Sequence, residues 1–110
     1  MQADAYLRGD GVPKKIETGY EVLERACQGA DVASCRRLAI VNYTGTDQSI
    51  SPVLNNLPID KEAGIRFGLR ACRLDPDSAG ISRQIAFASK PLATQFDADM
   101  CSAGYQPLCR

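Results

Sequence analysis

The chain partly repeats itself at an offset of 45 residues, the distance from Pro13 to Pro58. At this offset five residues are identical in the two copies: Pro13, Gly19, Arg25, Ala26 and Cys27 match Pro58, Gly64, Arg70, Ala71 and Cys72. Repeats of this length are typical of arrays in which each unit buries its apolar face against its neighbour. The repeat therefore constrains the fold more than any other feature of the chain.

The apolar residues of the first copy have helical spacing. Ile16, Tyr20, Leu23 and Cys27 follow one another at intervals of four, three and four residues, which places them on one face of a helix. Asp31 stands where an N-cap would open a second helix over residues 32–43.

The rest of the chain shows the same helical pattern. The sequence predicts helices from Asp60 to about Cys72, near Ser78–Ala88 and over Pro91–Ser102, and no stretch has the alternation of a strand with hairpin turns. A chain of 110 residues can form one modest core. We therefore expect a single all-α domain with about five helices.

The charge balance limits the partners. Thirteen basic and thirteen acidic residues cancel, so no net field attracts nucleic acid or an anionic membrane. The longest apolar runs, such as residues 38–41, are too short for a membrane span. No signal peptide is visible, which leaves a cytoplasmic protein or one whose signal has been removed.

Four of the five cysteines form two pairs with equal spacing. Seven residues separate Cys27 from Cys35, and seven separate Cys101 from Cys109. Each pair would join the last turn of a helix to the turn after a short loop, at roughly 5–6 Å between Cα atoms, which suits a disulfide. Persisting disulfides would indicate a periplasmic or extracellular protein, and thus favour the removed signal.

The fifth cysteine, Cys72, is expected to remain a thiol. Glycine, at position 80, stands where the repeat would place the partner cysteine. Cys72 could then be a small buried apolar side chain, or a reactive or intermolecular thiol. Zinc is the competing interpretation of the two pairs. It would need four ligands around one point, whereas the pairs lie at different loops and the chain has no histidine.

Three features of the first copy resemble the cysteine-rich branch of the Sel-one-like repeat family. They are the glycine-rich segment Tyr6-Leu-Arg-Gly-Asp-Gly-Val-Pro13, the glycine at position 19, and the Ala26-Cys27 ending followed by Gly29. On this resemblance the copies cover about 1–29, 31–74 and 77–104, with a loop inserted at 44–57. The family implies a short α-solenoid of antiparallel helix hairpins, similar to tetratricopeptide repeats, that binds other proteins. The first repeat is expected to lack its leading helix, and neither end of the stack is expected to have a complete polar cap. The open repeat ends could therefore support a homo-oligomer.

Two surfaces are candidates for partner binding. The inserted loop carries more apolar residues than a linker needs, and it either contacts a partner or packs onto its own helices. If the first helix of each hairpin lines the concave side, as in related repeats, that side would present polar groups. The candidate binding residues are Arg36, Asn42, Tyr43, Ile50, Val53, Leu54, Arg83 and Gln84.

Catalytic patterns are missing from the sequence. Without histidine there is no Ser-His-Asp or Cys-His set, and no phosphate-binding Walker loop occurs. Arg36 and Arg37 are expected to be solvated charges, and acidic pairs such as Asp97 and Asp99 to act in capping and solvation. No cofactor or metal is expected.

The resemblance leaves several functions open. The leading hypothesis is a non-catalytic scaffold of the bacterial envelope that binds another protein. A sharper version is an immunity protein that neutralises a secreted antibacterial toxin. The enzyme-class alternative is a protein that binds or hydrolyses β-lactams, and a purely structural oligomer is a further possibility.

Overall fold

The computed structural model describes residues 2–8, 15–50, 52–76 and 80–109. The elements in chain order are α1 (Gln2–Arg8), α2 (Ile16–Gln28), α3 (Val32–Thr44), α4 (Lys61–Leu74), α5 (Gly80–Ala88), α6 (Lys90–Ser102) and a 3-10 helix, η1 (Gln106–Leu108). These residues contain no strand beyond one isolated bridge between Asp47 and Leu54. The all-α prediction is confirmed.

The described residues form six α-helices, not about five, because residues 2–8 are helical. The expectation that the first repeat lacks a leading helix is therefore wrong. Helix α1 packs on α2, where Leu7 is buried beside Gly19. Leu23 of α2 is also buried, so it is not part of an open N-terminal face. The glycine loop of residues 9–13 lies outside the described residues.

Side chains and glycines set the helix boundaries. The Asp60 carboxylate accepts a hydrogen bond from the Ala63 amide at 3.0 Å, as an N-cap does. Asp31 occupies the N-cap position of α3, but its carboxylate accepts the hydroxyl of Ser34 and not a backbone amide. Gly45 ends α3 with a φ of 74°, a left-handed conformation that favours glycine. The predicted start of α5 at Ser78 falls outside the described residues, and the helix is seen from Gly80.

The helices pack in chain order. Helix α1 packs on α2, α2 on α3, α3 on α4 and α5 on α6, while contacts of α3 with α5 and of α4 with α6 join the last pair to the others. The buried side chains at these contacts include Leu23, Leu38, Tyr43, Phe96 and Met100. The core is therefore continuous across all six helices.

Two glycines allow close helix contacts at equivalent places. Gly19 and Gly64 matched in the sequence repeat, and each is the fourth residue of its helix. A Cβ atom on Gly19 would lie 3.0 Å from the Ala3 carbonyl of α1, and one on Gly64 would lie 3.0 Å from the Ala39 carbonyl of α3. The repeat thus corresponds to two helix pairs that cross closely at a glycine.

Both predicted disulfides are present. Cys27–Cys35 joins the end of α2 to the start of α3, with 4.8 Å between Cα atoms. Cys101–Cys109 joins the end of α6 to the residue after η1, with 4.9 Å between Cα atoms, so its second cysteine follows a 3-10 turn and not the start of an α-helix. Cys72 belongs to neither disulfide, as predicted. Cys27, Cys72 and Cys101 are each the twelfth residue of their helix.

Among the described residues, no helix combines the length and hydropathy of a membrane span.

Candidate functional site

The connection between α3 and α4 packs against the helices. Ile50 and Leu57 are buried, and the amide of Leu57 donates to the Gly45 carbonyl at 2.9 Å. Asp47 and Leu54 exchange two backbone hydrogen bonds of 2.8 and 3.2 Å. Of the two roles open for this loop, its described residues therefore fit the one in which it packs on its own helices. Val53, 46% exposed, remains at the surface.

A buried polar cluster anchors this loop. The Asp47 carboxylate, 1% exposed, accepts hydrogen bonds from Tyr20 at 2.9 Å, from Nε and Nη2 of Arg37 at 3.0 and 2.9 Å, and from the Ser49 amide at 3.0 Å. Arg37 also pairs with Asp4 of α1 at 2.8 Å. The cluster thus connects α1, α2, α3 and the loop.

The expectation that Arg37 is solvated is wrong, because its side chain is only 11% exposed and is held between two carboxylates. Burial lowers the pKa of Arg37. The hydrogen bonds to Asp47 and Asp4 raise the pKa by more than burial lowers it, so the pKa of Arg37 lies above the ordinary value. Burial, followed by the hydrogen bond to Asp47, raises the pKa of Tyr20 above its usual range. Tyr20 and Arg37 therefore keep their protons at physiological pH, and the cluster has a structural role.

Other predicted binding residues make contacts within the fold. Tyr43 is fully buried, where its hydroxyl donates to Asp99 at 2.6 Å and its ring meets Phe96 edge-on at 5.0 Å. Arg36 is half-buried and pairs with Asp75 at 2.7 Å. We therefore leave Tyr43 and Ile50 out of the binding surface.

The acidic pairs are also engaged by other helices. Asp99 accepts a hydrogen bond from the Tyr43 hydroxyl, and Asp97 accepts one from the hydroxyl of Ser82 in α5. Burial, followed by the hydrogen bond to Asp99, raises the pKa of Tyr43 above its usual range. The expectation that these carboxylates serve only capping and solvation is therefore wrong.

The remaining predicted residues lie at separate places. Arg83 and Gln84 are exposed on α5, beside Phe87, which is 84% exposed. Gln84 also lines a cavity of about 130 Å³ between α3, the loop and α5. Asn42 lies elsewhere, on the surface between α2 and α4. The structure does not bring the predicted residues together into one site.

A groove of about 420 Å³ lies between α2 and α4. Its floor is α3, which contributes Leu38, Val41 and Asn42. The end of the α3–α4 loop closes one side with Leu57, Pro58 and Asp60. We call this surface the α2–α4 groove.

The walls of the α2–α4 groove differ in charge. Helix α2 contributes Glu17, Glu21 and Glu24, which are exposed, together with the half-buried Ile16 and Tyr20. Helix α4 contributes Ala63, Arg66 and Phe67. Sequence reasoning missed the groove, although the glutamates at i, i+4 and i+7 of one helix signalled a continuous acidic stripe.

A second cavity of about 350 Å³ lies around Cys72. Its wall includes Phe96 and Met100, and its polar groups include Ser82, Asp97 and Tyr105. Burial, followed by a hydrogen bond with Cys72, raises the pKa of Tyr105. The thiol is therefore buried and engaged by the last segment of the chain.

Neither concavity has a recognisable set of catalytic groups. Ser82 donates to the Asp97 carboxylate, and the chain has no histidine to complete a Ser-His-Asp set. In the part of the chain that the structure describes, no three cysteine, aspartate or glutamate side chains are grouped to hold a metal ion.

No protein-family model matches the chain, and the chain shows no significant similarity to the curated proteins or the solved structures with which it was compared.

Proposed function

We propose that the protein is a non-catalytic, disulfide-stapled scaffold that binds another protein through the α2–α4 groove. The observation that carries this proposal is the groove itself. Leu38 and Val41 contribute to its floor, and its helical walls present charged side chains that form no ion pair or hydrogen bond among the described residues: Glu17, Glu21, Glu24 and Arg66. Such an apolar centre with a charged rim is the usual anatomy of a protein interface.

The buried polar residues support the same proposal. Asp47, Arg37 and Tyr43 are all occupied by contacts within the fold. An enzyme needs groups whose hydrogen-bonding capacity is directed at a substrate, whereas here that capacity holds helices and a loop together.

The helix pairs support a finer proposal, a short solenoid of Sel-one-like hairpins. In this arrangement α1–α2, α3–α4 and α5–α6 are successive units, with Gly19, Gly64 and Ala93 at the fourth position of the second helices. The shared twelfth position of Cys27 and Cys101 fits the staple of the cysteine-rich branch. Two disulfides are compatible with a periplasmic or secreted protein, which is where we propose that it acts.

An immunity protein that neutralises a secreted toxin is the narrower form of this proposal. A toxin gene next to the gene for this chain, and inhibition of that toxin by the purified protein, would support it. Inhibition should then be lost when the α2–α4 groove is blocked.

Site-specific photo-crosslinking tests the scaffold proposal. A photoreactive phenylalanine analogue replaces Arg66 in the groove or, as a matched control, Arg83 on the exposed face of α5. In cells of the native host, the probe at position 66 should form a covalent adduct with one protein, identified by mass spectrometry. That protein should also bind the purified chain, and the probe at position 83 should not capture it.

Besides a failure of position 66 to capture any protein, two results would contradict the proposal. The first is capture of the same partner only from position 83, which would move the interface to α5. The second is turnover of ester, peptide, phosphate or β-lactam substrates by the purified chain that a single Ser82 or Asp97 substitution abolishes.

A further inference from the structure

We infer that the α2–α4 groove binds a basic, amphipathic segment of its partner, an inference that rests on the proposed scaffold function. Three exposed carboxylates, those of Glu17, Glu21 and Glu24, follow one wall at i, i+4 and i+7. Asp60 adds a fourth carboxylate at the closed end. Arg66 is the one basic residue among the lining residues.

The local charge contrasts with the rest of the molecule. The whole chain has no net charge, yet four carboxylates and one guanidinium line this groove. None of the three glutamates forms an ion pair or a hydrogen bond within the described part of the chain. Their negative charge is therefore available to a cationic partner, and complementary charge of this kind guides association.

The apolar surface of the groove defines the second property of the ligand. Ile16, Tyr20 and Phe67 are half-buried, and each lines the groove. A partner with charge alone would leave this surface in water, whereas apolar side chains between its basic residues would cover it. The ligand that fits both features carries lysine or arginine alternating with apolar residues.

The spacing of the glutamates indicates the length of that segment. Glu17 and Glu24 are seven residues apart on α2, about 10 Å along a helix that rises 1.5 Å per residue. Basic residues at i, i+4 and i+7 of a partner helix have the same spacing. Nucleic acid does not fit, because its phosphates would be repelled by the same wall.

A defined peptide tests this inference. The probe is a fluorescein-labelled peptide of about 14 residues, roughly four helical turns, built from lysine, leucine and alanine with lysines at i, i+4 and i+7. A second peptide carries glutamate at every lysine position. The chain should bind the lysine peptide, its affinity should fall as salt is added, and it should not bind the glutamate peptide.

Two pairs of variants locate the binding. Glu21→Lys in the groove should weaken binding of the lysine peptide by about three- to tenfold, because one exposed attraction becomes a repulsion. Glu62→Lys makes the same charge change on α4 outside the groove lining and should change affinity by less than about twofold. Conversely, Arg66→Glu should tighten binding by about two- to threefold, whereas its control Arg73→Glu should not.

The outcomes separate this inference from the scaffold proposal. Equal weakening by Glu21→Lys and Glu62→Lys, or equal binding of both peptides, overturns the basic-segment inference. If the lysine peptide does not bind while position 66 captures a protein in cells, the inference is wrong and the scaffold function stands. If position 66 captures nothing, the scaffold proposal itself fails.

Discussion

The two connections that flank α3 are held in place by different means. The connection from α2, residues 29–31, is short and is closed by the Cys27–Cys35 disulfide. The connection to α4, residues 45–60, is long, and its described residues are held by hydrogen bonds and one ion pair of Asp47. A covalent staple suits a tight turn, whereas a long loop needs an internal anchor that reaches several helices. Reductant should therefore destabilise the first connection, and removal of the Asp47 charge should destabilise the second.

Removing the anchor should have the largest effect. Asp47→Ala should lower the free energy of unfolding by about 3 kcal/mol, because it takes the main counter-charge from the buried Arg37. Urea denaturation followed by circular dichroism measures the change. Glu62→Ala, which removes an exposed carboxylate, should change the same quantity by less than about 0.5 kcal/mol. A loss below about 1 kcal/mol for Asp47→Ala would mean that the loop does not depend on its anchor.

Removing the staple should have the next largest effect. The double variant Cys27→Ser with Cys35→Ser should lose about 2.5 kcal/mol, the loop-closure estimate for a ring of about nine residues. Reductant should destabilise the wild-type protein and leave the contribution of Asp47 unchanged. If denaturation midpoints with and without reductant coincide, the staple does not stabilise the turn.

Tyr20 should contribute less to the free energy of unfolding, and its contribution should depend on pH. Tyr20→Phe removes one hydrogen bond to Asp47, and it should cost about 1 kcal/mol at neutral pH. Because the pKa of Tyr20 is raised on folding, the unfolded chain loses this proton first as the pH rises. The contribution is therefore complete below about pH 10, the ordinary tyrosine pKa, and falls above it. Denaturation midpoints at alkaline pH should fall more steeply for wild type than for Tyr20→Phe, and parallel slopes would contradict this.

Cys72 should have the smallest effect, although it shares a helix position with Cys27 and Cys101. Cys72→Ser should cost about 1 kcal/mol or less, since no covalent bond is lost. Thiol titration of the denatured, unreduced protein should find about one thiol, assigned to Cys72 by peptide mapping. Several thiols in that titration would show that the disulfides do not form in the purified protein.

The sequence predicted the elements whose pattern is local. The stripe of Ile16, Tyr20, Leu23 and Cys27 predicted α2, and the equal spacing of the cysteines predicted both disulfides. Helix α1 was missed because seven residues carry too little periodic signal, and its packing against Gly19 becomes visible only in the folded chain.

The candidate site was less predictable for a related reason. Nothing near Arg37 or Asp47 in the sequence indicates that they meet, because a loop must first fold back over α3. The α2–α4 groove likewise depends on the relative placement of three helices. Local patterns predict which face of a helix is apolar, but not which polar residues another segment will cover.

The anchoring of the loop also bears on the energetics of recognition. The connection that Asp47 holds against the helices also closes one side of the α2–α4 groove, through Leu57, Pro58 and Asp60. Ordering a flexible residue costs about 1–2 kcal/mol of conformational entropy, and here that ordering takes place during folding. A partner would meet a preorganised wall, and more of its contact energy would remain as affinity. Loosening the loop should therefore weaken binding mainly through a less favourable entropy of association, even when every groove residue is intact.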